Sequence, residues 1–289
     1  MKDNITNEMI EELYSENNAT FYSLGSLSLS YIYNSLGIGK FINSQPGGFD
    51  DNSSNILKLI IYSKVLLPYA SRINYFEDMD SFNDKDVYHF TNLLPKINED
   101  LISYINTQIV DKMDRDTSDI VCLRTDDVLI IVDNDGIPLY YMQRVGTTRA
   151  DLQELLLEFE LIYEEEDIRI VEAPKYIRNL FDLSLKNEDV FDSKEKFIAY
   201  YLISYVTLVL LRILANKLGK KYKLKELAKS LEKSVILTYD DKSYKNLYKD
   251  KILIELQNIM NIPYEKKILL KKDIDQLKAS VDNRIELNI

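Results

Sequence analysis

Three apolar runs of strand length lie close together between Ile120 and Tyr141, and they constrain the fold more than any other feature of the chain. Ile120–Leu123, Val128–Val132 and Ile137–Tyr141 each fit a short buried strand. Between the last two stand Asp133, Asn134, Asp135 and Gly136, whose Asp-Gly pair signals a hairpin turn. A calcium loop would need alternating acidic ligands before its glycine and a later glutamate at the closing position, so turn chemistry is the better reading. Thr147 or Thr148 then caps a helix over Leu152–Tyr163, with Leu152, Leu155, Leu156 and Phe159 on one face. Glu164, Glu165, Glu166 and Asp167 break away, Ile168–Val171 gives a fourth strand, and Tyr176–Leu185 reads as a further helix. The order predicts an antiparallel three-strand meander and a helical crossover that places the fourth strand beside the first.

The flanks read as helical. A short helix opens near Asn4, and Phe21–Leu36 gives a second. Asp51, Asn52, Ser53 and Ser54 offer a cap to Ile56–Leu67, where Ile56, Leu59, Ile60 and Ser63 keep helical spacing until Pro68 stops it. Asp84 can cap Val87–Leu94, and Asn98 can cap Leu101–Met113. Beyond the strands, Phe197–Leu218, Lys223–Lys233 and Leu247–Met260 make the last third helical. The expected class is therefore α+β and mostly helical, in three parts: 1–116, 117–195 and 196–289.

Composition narrows the chemistry. One cysteine, Cys122, excludes an intramolecular disulfide framework, and one histidine, His89, leaves no His-rich zinc site. His89 is expected at the edge of a core, Cys122 in a buried strand, and Ser26, Ser28 and Ser30 as packing groups rather than nucleophiles. The acidic start, Met1–Ser15, has no apolar core, and the uncharged stretch Phe197–Leu211 is shorter than the roughly 20 residues that span a bilayer. No membrane segment is predicted, and a cytoplasmic location is expected.

Charge is unevenly placed. Residues 1–120 hold 18 acids and 9 bases, 121–195 hold 18 and 8, and 196–289 hold 11 and 19. The densest basic part carries Lys217, Lys220, Lys221, Lys223, Lys225, Lys229 and Lys233, candidates for contact with nucleic acid. The acidic remainder suits a basic partner.

The strand order fits a ribonuclease-H-like core, and several stretches extend the likeness. They are Leu36–Ile42 (LGIGKFI), Asn55–Pro68, Arg115–Ser118 before a strand, Asp135–Pro138 (DGIP), and above all Lys196–Ser204 with Leu211–Leu218 and Gly219–Tyr222. In their order and spacing the chain resembles DDE-type transposases of bacterial insertion sequences over nearly its full length. The resemblance implies metal-dependent DNA strand transfer, in which three converging acids hold two divalent cations.

At the matching positions the acids are missing. Leu123 stands where the first belongs, Pro174 where the second belongs, and Asn179 within the frame of the third. Asp126, Asp127 and Glu172 lie near enough in sequence to compete for these roles. The chain is also shorter than the family, with the missing length between the fourth strand and the third-acid helix. The expectation is a transposase-like binding module without catalytic residues, metal or cofactor. Its leading partner is a basic or nucleic-acid-binding protein, which it inhibits or regulates. DNA binding through the basic C-terminal helices is the alternative, and residual strand transfer the third.

Overall fold

A computed structural model describes residues 20–66, 73–75, 82–113, 115–144, 146–158, 161, 168–182, 193–240 and 242–282. The helix expected near Asn4, the stop at Pro68, the end of the helix past Glu158 and the run Glu164–Asp167 lie outside them. The fold is α+β and mostly helical, with two small sheets. The chain divides into two compact units. One holds Tyr88–Arg212; the other joins Met1–Val87 to Ile213–Ile289.

In the Tyr88–Arg212 unit, β3 (Val121–Arg124), β4 (Val128–Val132), β5 (Pro138–Gln143) and β6 (Arg169–Glu172) form one sheet in the order β5-β4-β3-β6. β3–β4 and β4–β5 are antiparallel, and β6 runs parallel to β3, as the alternation predicts. The turn at Gly136 adopts φ 72°, a region where a side chain would be strained. Its amide donates to the Asp133 carbonyl at 2.8 Å, and the Asp133 side chain accepts from the Ile137 amide at 2.8 Å. This is turn chemistry.

Alternation sends Cys122, Leu129, Ile131 and Leu139 to one face, where they pack with Leu152 and Leu156 of the amphipathic helix Arg149–Glu158. That helix is capped by Thr148: its hydroxyl accepts from the Asp151 amide at 3.2 Å, and the Asp151 carboxylate accepts from the Thr148 amide at 2.6 Å. On the other face Tyr141 meets Tyr201 and Tyr205, with ring centroids 6.2 and 5.9 Å apart. Both tyrosines belong to the long helix Lys194–Lys217. Every residue of that helix from Ala199 to Leu211 is buried. It is nevertheless longer than the uncharged stretch suggests, and its length and composition would suffice to cross a membrane.

One cap and one burial differ from expectation. Asn83, not Asp84, opens the helix Asp84–Leu93, because its side chain accepts from the Lys85 amide at 2.9 Å. His89 sits on that helix and is exposed rather than at a core edge. The helix Asn98–Met113 follows after a single 3-10 turn.

The other unit corrects the expectation of wholly helical flanks. β1 (Phe21–Ser23), β2 (Ile73–Asn74), β7 (Val235–Asp240), β8 (Ser243–Asn246) and β9 (Ile268–Leu270) form a second sheet in the order β2-β1-β7-β8-β9. The helix expected from Phe21 therefore begins only at Ser26. Within that helix, Ser28 bonds the Tyr264 hydroxyl at 2.6 Å and Ser30 bonds the Tyr62 hydroxyl, so the serines are satisfied packing groups. Gly25 lets the backbone pass Leu231; a Cβ there would sit 2.1 Å from the Leu231 carbonyl oxygen.

Candidate interaction surfaces

The resemblance calls for acids where Leu123, Pro174 and Asn179 stand. Leu123 is buried on β3, between Ile130 of β4 and Val171 of β6. The Ala173 amide donates to the Arg124 carbonyl at 2.8 Å, which brings Pro174 to the end of β3 beside it. Pro174 then precedes the helix Lys175–Phe181, and Asn179 lies more than a turn into it, exposed. An apolar side chain, a ring without a donor and an amide give a divalent cation no anionic seat.

The nearby carboxylates do not rebuild one. Glu172 is the register partner of Arg124, and its Oε1 accepts from the guanidinium Nε at 2.7 Å. Since neighbouring residues point to opposite faces of a sheet, Glu172 faces away from the Leu123 side. Asp126 is exposed in the β3–β4 turn that Thr125 closes through its hydroxyl, which accepts from the Val128 amide at 2.9 Å. Asp127, half-buried in the same turn, acts on the phenols of the long helix: burial and then its charge push the Tyr201 hydroxyl above its ordinary range. Burial also pushes Tyr200 up to about 12, opposed by the Ser204 hydrogen bond and assisted by Asp182 and Asp127. Among the described residues no three histidine, cysteine or acidic side chains gather where they could hold a metal ion.

What the sheet does hold is a buried polar knot that sequence reasoning did not single out. Arg115 donates from Nε to Asp133 at 2.7 Å, from Nη1 to Asn106 at 2.5 Å, and from Nη2 to the Ile137 and Pro138 carbonyls at 3.0 and 2.9 Å. Burial raises the Asp133 carboxyl pKa, and Arg115 pulls against that rise. The guanidinium of Arg212 lies where a Cβ on Gly136 would come within 3.2 Å of it, and its buried Nε has no hydrogen-bond partner among the described residues. The knot ties the helix Asn98–Met113 to the β4–β5 hairpin. Its signal in the sequence is faint: an Arg followed by a Gly-bearing turn, with nothing to say that the two meet.

The predicted lysines split into two groups. The chain leaves the long helix through Gly219 at φ 66° and Lys220 at φ 57°, and Lys223 precedes the helix Leu224–Lys233. That helix buries Leu224, Leu227, Ala228 and Leu231, so Lys225 and Lys229 face solvent one turn apart. Lys221 instead reaches Glu255 at 3.4 Å, and Lys233 lies 5.3 Å from the centre of the Tyr248 ring. Lys217 is half-buried at the end of the long helix, and Lys220 is exposed. Lys223 is exposed as well.

Charge follows the structural division more sharply than the sequence thirds. Tyr88–Arg212 carries 24 acids and 13 bases, the whole net charge of −11, while the other unit balances 23 against 23. The first unit is an acidic body and the second a neutral one with a basic end. No protein-family model, curated protein or solved structure matches this chain.

Proposed function

We propose that the chain is a catalytically silent, transposase-like binding module with a trimmed ribonuclease-H-like core, whose acidic unit engages a basic, nucleic-acid-binding protein and keeps that protein from its nucleic acid. The observation that carries this reading is the coincidence of two facts in Tyr88–Arg212. The strand order β5-β4-β3-β6 suits such a core, and the same stretch of chain, which carries the net charge of −11, has Leu123 where a metal-binding acid would stand. A dense negative surface steers a basic partner and competes with phosphate for the same lysines and arginines.

Binding of DNA through Lys217–Lys233 is the second reading, favoured by the solvent-facing pair Lys225 and Lys229. Residual strand transfer ranks third, because among the described residues no three acidic side chains gather where they could hold a metal ion. Gel shifts of the purified chain with duplex DNA across a salt series separate the first two. The proposal expects no retained complex, whereas phosphate binding would give one that weakens steeply with salt. Incubation with DNA in Mn²⁺ tests the third. Cleavage that Asp126→Ala or Glu172→Ala abolishes would overturn catalytic silence.

A further inference from the structure

The edge of the second sheet presents a feature that neither the acidic unit nor Lys217–Lys233 accounts for. β9 is the last strand of its sheet among the described residues. Its register with β8 pairs Ile268 with Lys245, Leu269 with Tyr244 and Leu270 with Ser243. The Asn246 amide donates to the Lys267 carbonyl at 2.9 Å and the Lys271 amide to the Lys242 carbonyl at 2.8 Å, so the odd-numbered residues turn their backbone toward β8. In an antiparallel ladder the alternate residues then point theirs the other way. The amide and carbonyl of Ile268 and the amide of Leu270 therefore face the outer edge.

The same two residues expose apolar side chains. Ile268 is 44% and Leu270 42% exposed, while Leu269 between them is buried. An open hollow of about 440 Å³ adjoins Leu270, lined also by Lys242, Lys271, Lys272 and Asp275. With Lys245 opposite Ile268 and Lys266 and Lys267 at its start, the strand lies among six lysines, against Glu265, Asp273 and Asp275. Lysines beside an edge strand repel basic strands and would lose hydration against uncharged ones, and so guard against aggregation. The same lysines attract a strand that carries acids.

We infer that the outer edge of β9 is a docking site for an extended acidic peptide segment with alternating apolar residues, which adds as a further strand. Backbone pairing at Ile268 and Leu270 supplies affinity, their side chains cover the apolar residues of the incomer, and the lysines select its charge. Phosphate chains and lipid surfaces offer no backbone to pair with an open strand, which favours a peptide as the occupant. The site lies in the unit outside Tyr88–Arg212, so it stands or falls independently of the reading proposed for the acidic unit.

The test uses the full chain and a fluorescein-labelled octapeptide of alternating glutamate and valine, followed by anisotropy. The expected result is saturable binding that weakens as salt rises, with amide-exchange protection gained at Ile268–Leu270. N-methylation of the peptide backbone along one edge, Leu270→Glu, or Lys272→Glu should each weaken it roughly tenfold or more, a change of about 1.4 kcal/mol. Both substitutions are at exposed positions, so circular dichroism and thermal melts should match the parent chain. No binding of the glutamate peptide, equal binding of a lysine–valine peptide, or indifference to N-methylation overturns the inference. So does capture of phosphatidylserine vesicles or duplex DNA through Lys272 without any binding of the peptide.

Discussion

Arg115 and Asp133, eighteen residues apart in sequence, form an ion pair whose side chains are 2% and 0% exposed, with Nε 2.7 Å from Oδ2. A pair taken so far out of water needs further partners, here Asn106 and two carbonyls of the β4–β5 hairpin for the guanidinium and the Ile137 amide for the carboxylate. The hairpin and the helix before the sheet are thus fixed to one another by a buried polar knot within Tyr88–Arg212.

Removing one partner leaves the other charged, buried and unmatched. Arg115→Met or Asp133→Asn should each lower stability by about 3–5 kcal/mol, measured as the shift in the urea unfolding curve. The double substitution R115M/D133L should cost clearly less than the two single losses together, since no lone charge remains. Single losses below about 1 kcal/mol would mean that the pair is solvated in solution.

A second prediction concerns pH. The Thr148 amide and hydroxyl donate to the Asp151 carboxylate at 2.6 and 2.8 Å and hold its pKa below the ordinary value. A carboxyl depressed in the folded state stabilises it above the unfolded pKa, and that contribution vanishes as pH falls through the folded one. Asp151→Asn should therefore melt below the parent chain at pH 7, with a gap that closes as pH drops below about 4. A gap independent of pH would show that the cap acts through its shape rather than its charge.

Much of the first sheet was legible in the sequence. Its strands are four to six residues of nearly unbroken apolar character, separated by a turn whose glycine must adopt positive φ. The second sheet was not, because β1, β2 and β9 hold three, two and three residues, too short for an alternating pattern to register. Phe21–Ser23 ran straight into the serine-rich helix and borrowed its helical look. For the sites, Lys217–Lys233 stood out as a run along the chain, whereas the lysines around β9 gather only through strand pairing. The knot at Arg115 was barely legible for the same reason: its partners come from two other segments, the helix Asn98–Met113 and the β4–β5 hairpin.

The long helix supplies a third prediction. Lys194–Lys217 is apolar enough to cross a membrane, yet Leu208 is fully buried among neighbours of its own fold. The purified chain should stay in solution without detergent. Leu208→Asp should cost several kcal/mol in chemical unfolding, because the carboxylate has neither water nor a partner. Retention of the parent chain in the membrane fraction after a high-salt wash would contradict this packing.

We propose that the acidic unit takes a basic protein away from nucleic acid. Affinity capture with the full chain, followed by mass spectrometry, supplies the candidate partner, and the deciding measurement is that partner's retention of labelled DNA or RNA as the chain is titrated in. The account predicts displacement in proportion to added chain, with association that slows as salt rises, because steering between charged surfaces is screened beyond about 8–10 Å. Capture that recovers only DNA, or a partner whose grip on nucleic acid is unchanged at saturating chain, would contradict it.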